Sequence, residues 1–256
     1  MGIVAFQWGE GENILTLLQN RENWQSRSIR AADWEWDESK VLSARCGETD
    51  GTWLGISFRG RVAFLVEAGP VNRDRIMGAE RRTLEFLESN ESPEDFAKSL
   101  AADRGRNTQI AYHLIVADIA SNSMLYISKQ SFSEDGTVHI MPVGPGVHTL
   151  SSAGLDSEVG HRELRLKQSF SERINRKLPE QIWDLAEEIM YDREAINGDP
   201  LSSIFVDDTM IEHEYYGTRN TTALVVRPTK EVLFAERNRA IFNDDWTMHA
   251  FFFTII

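Results

Sequence analysis

The chain of 256 residues contains a single cysteine, Cys46. One thiol cannot form an intrachain disulfide, which excludes a disulfide-stapled scaffold and suits a reducing compartment. Cys46 reads as a small core residue. Basic charge is also scarce: 27 Lys and Arg stand against 40 Asp and Glu, a formal net charge of −13. Nucleic-acid affinity comes chiefly from neutralised phosphates, so this balance argues against a nucleic-acid partner. The basic clusters Arg81-Arg82 and Arg173 to Lys177 have acidic neighbours and read as solvated helix faces. No stretch approaches the ~18 apolar residues of a membrane span. The opening run Ile3 to Phe6 is too short for a signal-peptide core and lacks a basic lead. The chain starts Met-Gly, but Phe6 stands where the myristoylation pattern wants Ser or Thr. A soluble, cytoplasmic protein without a transmembrane segment is expected.

Several chemical signatures are missing as well. The six histidines are His113, His139, His148, His161, His213 and His249. None lies three or four residues from another, so no helix offers a His pair to zinc. No metal site and no cofactor are expected. GTWLGIS has two glycines but neither the phosphate-cradling fingerprint nor the lysine of a P-loop, and no Gly-x-Ser-x-Gly elbow occurs.

What is present is strand and helix in alternating blocks. IVAFQW and NILTLLQN flank the turn-like Gly9-Glu10-Gly11-Glu12 and read as a hairpin. VLSARC follows, then a second hairpin in GTWLGISFRGRVAFLVEA, turning at Arg59-Gly60. A helical block spans about Asp74 to Asp103. Inside it Ser92-Pro93-Glu94-Asp95 is a helix start, with an N-cap, a first-turn proline and acids at the positive dipole end. IAYHLIVADI, MLYIS and TVHIM are strands, and the block ends in the Gly-Pro-rich VGPGVHTLSSAG. A second helical block runs from about Glu158 to Arg193, with Ile182, Leu185, Ile189 and Met190 at helical spacing. DPLSSIFVDDTM reads as an irregular connection. NTTALVVRP, EVLFAER and MHAFFFTII close the chain as strands. No repeat or linker divides residues 1–256, which predicts one domain of α+β class with helices on largely antiparallel sheets. Trp24, Trp34, Trp36 and Trp53 either line an apolar pocket or belong to the core, and the core is the reading adopted.

An apolar strand at the start permits a catalytic plan in which residue 2, after removal of Met1, supplies both nucleophile and α-amine base. Gly2 has no side chain to attack with.

Several motifs in order resemble the NRDE, or transport and Golgi organization protein 2, family. They are Asn20-Arg21-Glu22-Asn23 with Ser26-Arg27; GTWLGIS followed by Gly60-Arg61-Val62-Ala63; YHLIVAD (112–118); TLSSA (149–153); YGTRNTTALVV (216–226); and FAER (234–237). That family in turn resembles N-terminal nucleophile hydrolases of the choloylglycine and penicillin V acylase kind. The resemblance implies a four-layer αββα sandwich, an N-terminal Cys nucleophile, an Arg and an Asp steadying the amine, Asn oxyanion donors and a second Arg. This chain departs at most matching positions: Gly2 for Cys, Glu22 for Asp, His113 and Ser152 for Asn, and Val66-Glu67 for Thr-Asn. Arg21 and Arg219 remain.

No catalytic residue is therefore assigned. The resemblance links the family to secretory-pathway organisation and to the handling of haem or acyl lipids, and implies possible peripheral association with Golgi or mitochondria. Carried over residue by residue, it makes Gly2, Arg21, Glu22, His113, Ser152 and Arg219 the binding residues for a small amphipathic, anionic ligand. The alternatives are an amide or thioester hydrolase and a protein-interaction scaffold. Arg21 and Arg219 either meet an anionic group or are buried partners of Glu22 or Asp118.

Overall fold

The computed structural model describes residues 2–35, 40–72, 78–130, 136–176, 179–239 and 245–256. Trp36, Lys177 and the expected helix start near Asp74 lie outside them. In chain order the elements are β1 (Gly2–Trp8), β2 (Leu15–Trp24), β3 (Ile29–Trp34), β4 (Val41–Cys46), β5 (Leu54–Ser57), β6 (Arg61–Glu67), α1 (Glu80–Glu88), α2 (Pro93–Ala102), β7 (Tyr112–Asp118), β8 (Ser123–Lys129), β9 (His139–Pro142), β10 (Gly146–Ser151), β11 (Gly154–Leu155), α3 (His161–Arg173), α4 (Ile182–Met190), β12 (Thr209–Ile211), β13 (Glu214–Val226), β14 (Glu231–Arg239) and β15 (Trp246–Thr254). They form two compact units, one from residues 1–28 and 145–254, the other from residues 29–144 and 255–256.

The first unit holds one sheet in the order β11-β10-β1-β2-β13-β14-β15, with β12 on β13. Its strand pairings are antiparallel throughout the described residues. β1 lies inside this sheet, between β10 and β2. The apolar start is thereby explained: Gly2 to Trp8 are buried throughout, flanked on both sides by partner strands. Ile3, Ala5, Leu18, Ala223, Val225 and Leu233 pack against Leu166 and Phe170 of α3 and Leu185 and Ile189 of α4. β10 comes from the Gly-Pro-rich stretch read as the end of a block, and β12 from the stretch read as irregular.

The second unit holds the antiparallel sheet β3-β4-β5-β6-β7-β8-β9. β3 was not anticipated from the sequence. Ser92 caps α2 by accepting from the Asp95 N–H, with Pro93 at the first turn. Cys46 and Trp53 join Phe86, Phe96 and Leu100 in this unit's core. Trp24 and Trp34 are half-buried instead, meeting Tyr216 edge-on at 5.0 Å and stacking on Phe58 at 4.3 Å. The GTWLGIS motif serves helix packing: a Cβ on Gly55 would come within 2.6 Å of Leu87 Cδ1 on α1. Arg61 closes the same C-terminal end of α1, donating from Nε to the Phe86 carbonyl at 3.0 Å with its guanidinium 3.9 Å from the Phe86 ring.

Candidate functional site

Strand register builds the candidate site from the bottom. Gly2 is opposite Arg21, Arg21 opposite Asn220, and Asn220 opposite Asn238. Directly opposed residues of neighbouring strands share a face. Gly2, Arg21, Asn220 and Asn238 therefore form one row across β1, β2, β13 and β14. Arg21 is 5% exposed, Asn220 2% and Asn238 7%. Asn220 Nδ2 donates to Asn238 Oδ1 at 3.1 Å. Asn220 Oδ1 is buried and finds no hydrogen-bond partner among the described residues.

The adjacent row points to the helices. Asn20 donates from Nδ2 to the carbonyls of Met190 (2.6 Å) and Ile204 (2.9 Å) and accepts from Thr221 Oγ1 at 2.7 Å. The signature asparagine is thus a stitch between sheet and α4. Glu22 lies on this same face, because residues two apart in a strand share a face and consecutive ones do not. Its Oε1 takes an ion pair from Arg162 on α3. Its Oε2 accepts from the Tyr216 hydroxyl at 3.2 Å. Burial alone would lower the Arg162 guanidinium, but the charge and hydrogen bond of Glu22, with Tyr216 and Glu163 nearby, together outweigh that and raise it above its ordinary value.

Arg219 occupies a β-bulge, where register shifts between Thr218 and Asn220. A bulge re-aims the extra side chain. Arg219 Nη2 meets Asp208 Oδ1 at 3.1 Å, and Arg239 Nη1 meets the same oxygen at 2.8 Å. A Cβ on Gly217 would stand 2.8 Å from Asp208 Oδ1, so the glycine of YGTR makes room for this carboxylate. The partner anticipated for Arg219, Glu22 or Asp118, thus needs correcting. Glu22 is taken by Arg162, Arg219 is held by Asp208, and Asp118 instead accepts from the Ala120 N–H at 2.8 Å in a turn.

Ser152 follows directly on β10, in the turn before β11. His113 belongs to the other compact unit, on β7, where Nδ1 lies 2.7 Å from the Tyr126 hydroxyl in a buried, stacked pair. Of the six carried-over residues, then, Gly2 and Arg21 adjoin, Glu22 faces the other side of the same sheet, and Arg219 is drawn to Asp208. Among the described residues no group of three or more His, Cys, Asp or Glu side chains is placed to hold a metal ion.

Position 2 is constrained. A Cβ built on Gly2 would fall 2.6 Å from the Asn20 carbonyl oxygen, a backbone atom of the neighbouring strand.

Residues 1–240 match the family described as transport and Golgi organisation 2. The chain belongs to the transport and Golgi organisation 2 family. It is 29% identical over 247 residues to the transport and Golgi organization protein 2 homolog of Bos taurus, covering 88% of this chain and 86% of the relative. The Homo sapiens homolog is 26% identical over 243 residues, with the same coverage. Among solved structures, a mutant conjugated bile acid hydrolase from Clostridium perfringens superposes with TM-score 0.52 at 9% identity, covering 98% of this chain and 97% of that one. An N-acylethanolamine-hydrolyzing acid amidase ortholog from Caenorhabditis elegans gives 0.52 at 11% identity, with 88% and 92% covered. At such identities the likeness shows the fold, that of N-terminal nucleophile hydrolases, as the motifs implied. No described helix is long and apolar enough to cross a membrane.

One polar cluster of this family member was not read from its sequence. His148 Nδ1 lies 2.7 Å from Asp156 Oδ2, and Lys167 Nζ lies 3.0 Å from Asp156 Oδ1. The Thr149 N–H donates to that second oxygen at 3.1 Å. Asp156 thereby ties β10 to α3. Burial alone would raise its carboxyl, but the hydrogen bonds from His148, Lys167 and Thr149 hold it below the ordinary value. A depressed folded value means the carboxylate stabilises the fold above the usual range of about 4 and loses that contribution as pH falls through the folded value. Asp156→Asn is expected to cost about 1–2 kcal/mol at pH 7, the scale of lost charge-assisted hydrogen bonds. Urea midpoints of both proteins should converge in acid. A gap unchanged by pH would contradict this role.

Proposed function

We propose that this member of the transport and Golgi organisation 2 family does not hydrolyse acyl bonds and instead binds a small ligand with an apolar body and an anionic head, of the haem or acyl-lipid type, in intracellular transport or Golgi organisation. The observation that carries the non-hydrolytic half is the 2.6 Å approach of a Gly2 Cβ to the Asn20 carbonyl oxygen. An acyl-enzyme needs a side-chain nucleophile at that position, and the strand pairing admits a side chain there only with a backbone shift. Glu22 is also turned from the Gly2 face to Arg162, so the acid that would steady an amine there is engaged elsewhere.

The binding half rests on the row beside Gly2. Arg21 offers a planar fork suited to a carboxylate or phosphate. Asn220 Oδ1, buried without a described partner, suits a ligand that also carries a donor. The ligand is placed at the Gly2, Arg21, Asn220 and Asn238 row, with Ser152 near the end of β10 and Arg219 as a supporting charge. His113 is assigned to the same function on the family pattern alone.

The test is a spectroscopic titration of the full chain with haem and, separately, with a fluorescent fatty acid. Saturable binding of one of them, weakened at least about tenfold in Arg21→Gln, is the expected result. Binding of neither, or binding indifferent to Arg21→Gln, would overturn the placement.

A further inference from the structure

β15 ends the first unit's sheet, and among the described residues no strand pairs with its outer edge. An open edge presents a row of backbone N–H and C=O groups ready to pair with another strand, and natural proteins blunt such edges with charges, prolines, bulges or short length. β15 has none of these. It runs nine residues, WTMHAFFFT, without Asp, Glu, Lys, Arg or Pro. All nine pair with β14 in unbroken register from Arg239↔Trp246 to Glu231↔Thr254. Met248, Ala250, Phe252 and Thr254 alternate onto one face, and all four are exposed, Met248 at 46% and Phe252 at 75%. Beside Phe252 lies a groove of about 370 Å³ with Val232, Leu233 and Phe253 in its walls.

We infer that β15 is a docking edge for a second copy of this chain, joined by antiparallel β15–β15 pairing about a two-fold axis at Ala250. Three features favour this occupant. First, the chain carries a net charge of −13, so most mutual contacts bring like charges together, whereas β15 brings none. Second, the strand is self-complementary. Centring the pairing on Ala250 sets all nine residues in register, with Ala250, the smallest side chain in the strand, where the two copies meet on the axis. Third, Phe252 of each copy then lies opposite Met248 of the other, a thioether–aromatic pairing that buries both exposed apolar side chains. The C2 arrangement uses the same patch twice and leaves no free edge at β15 to propagate. One strand pair with a short side-chain row makes a small interface, so the association is concentration-dependent.

Sedimentation equilibrium on the full chain, with hydrogen exchange at several concentrations, tests this. The expected mass rises from 29.2 kDa toward twice that value with concentration, and protection of β15 amides rises in parallel. Met248→Lys/Phe252→Lys places charges on exposed positions outside the core and should weaken the dimer at least about tenfold while leaving the near-ultraviolet circular dichroism unchanged. A monomer up to about 100 μM, a range that reveals even weak association, would overturn the proposal. So would a dimer whose β15 amides exchange independently of concentration, a measurement that needs no variant.

Discussion

Gly2→Cys is expected to destabilise the protein and to form no acyl-enzyme. The new Cβ meets the Asn20 carbonyl oxygen at 2.6 Å, and that oxygen belongs to backbone that cannot rotate away. Asn20 itself is pinned by three side-chain hydrogen bonds, to Met190, Ile204 and Thr221. The strain must go into the β1–β2 pairing, at a cost of about 1–3 kcal/mol, the range for overpacking a dense interior. Gly2→Ala should cost nearly as much, since Cβ causes the conflict and Sγ does not. Urea midpoints would measure both, and intact mass after incubation with amide and thioester substrates would report any adduct. Full stability in Gly2→Cys together with an acyl adduct would mean that position 2 accommodates a nucleophile after all.

Arg162→Ala should have the largest effect on stability. It leaves the Glu22 carboxylate, 1% exposed on its side chain, facing the Tyr216 hydroxyl without its ion partner. Breaking a buried pair from one side typically costs about 3–5 kcal/mol. Removing both charges together avoids the stranded carboxylate, so Glu22→Gln/Arg162→Met should recover a large part of the loss. A double-mutant cycle by chemical denaturation measures this. Additive single losses, with no recovery in the double variant, would show that Glu22 and Arg162 do not act as a pair.

These two positions show what the sequence could and could not disclose. The apolar strand at Ile3 to Phe6, the hairpins turning at Gly9 to Glu12 and at Arg59-Gly60, and the capped helix at Ser92-Pro93 are local signals, and all appear in the structure. β10 escaped notice because glycine and proline in VGPGVHTLSS suggest a loop, while its strand character comes from pairing with β1, far away along the chain, from Val4↔Leu150 to Trp8↔Gly146. Arg21 and Glu22 were grouped because they are neighbours in a motif. The period of two along β2 separates them, a rule that reading the motif as a strand would have applied at once. Arg162 as the partner of Glu22, and Asp208 as the partner of Arg219, are products of tertiary packing. No spacing in the chain announces them. Asn220 lay inside a quoted motif, but its place in the Arg21 row follows from a bulge that only register reveals.

This transport and Golgi organisation 2 chain, with glycine at position 2, is proposed to keep the hydrolase fold without hydrolysing acyl bonds. Release of acid from amide and acyl-thioester substrates by the wild-type protein, with removal of Met1 confirmed by intact mass, tests it most directly. No release above the uncatalysed rate is expected, and no change from that baseline in Arg21→Ala or Arg219→Ala. Turnover by the wild type that disappears in those variants would show that the Gly2 amine is a working catalyst and that the protein is a hydrolase.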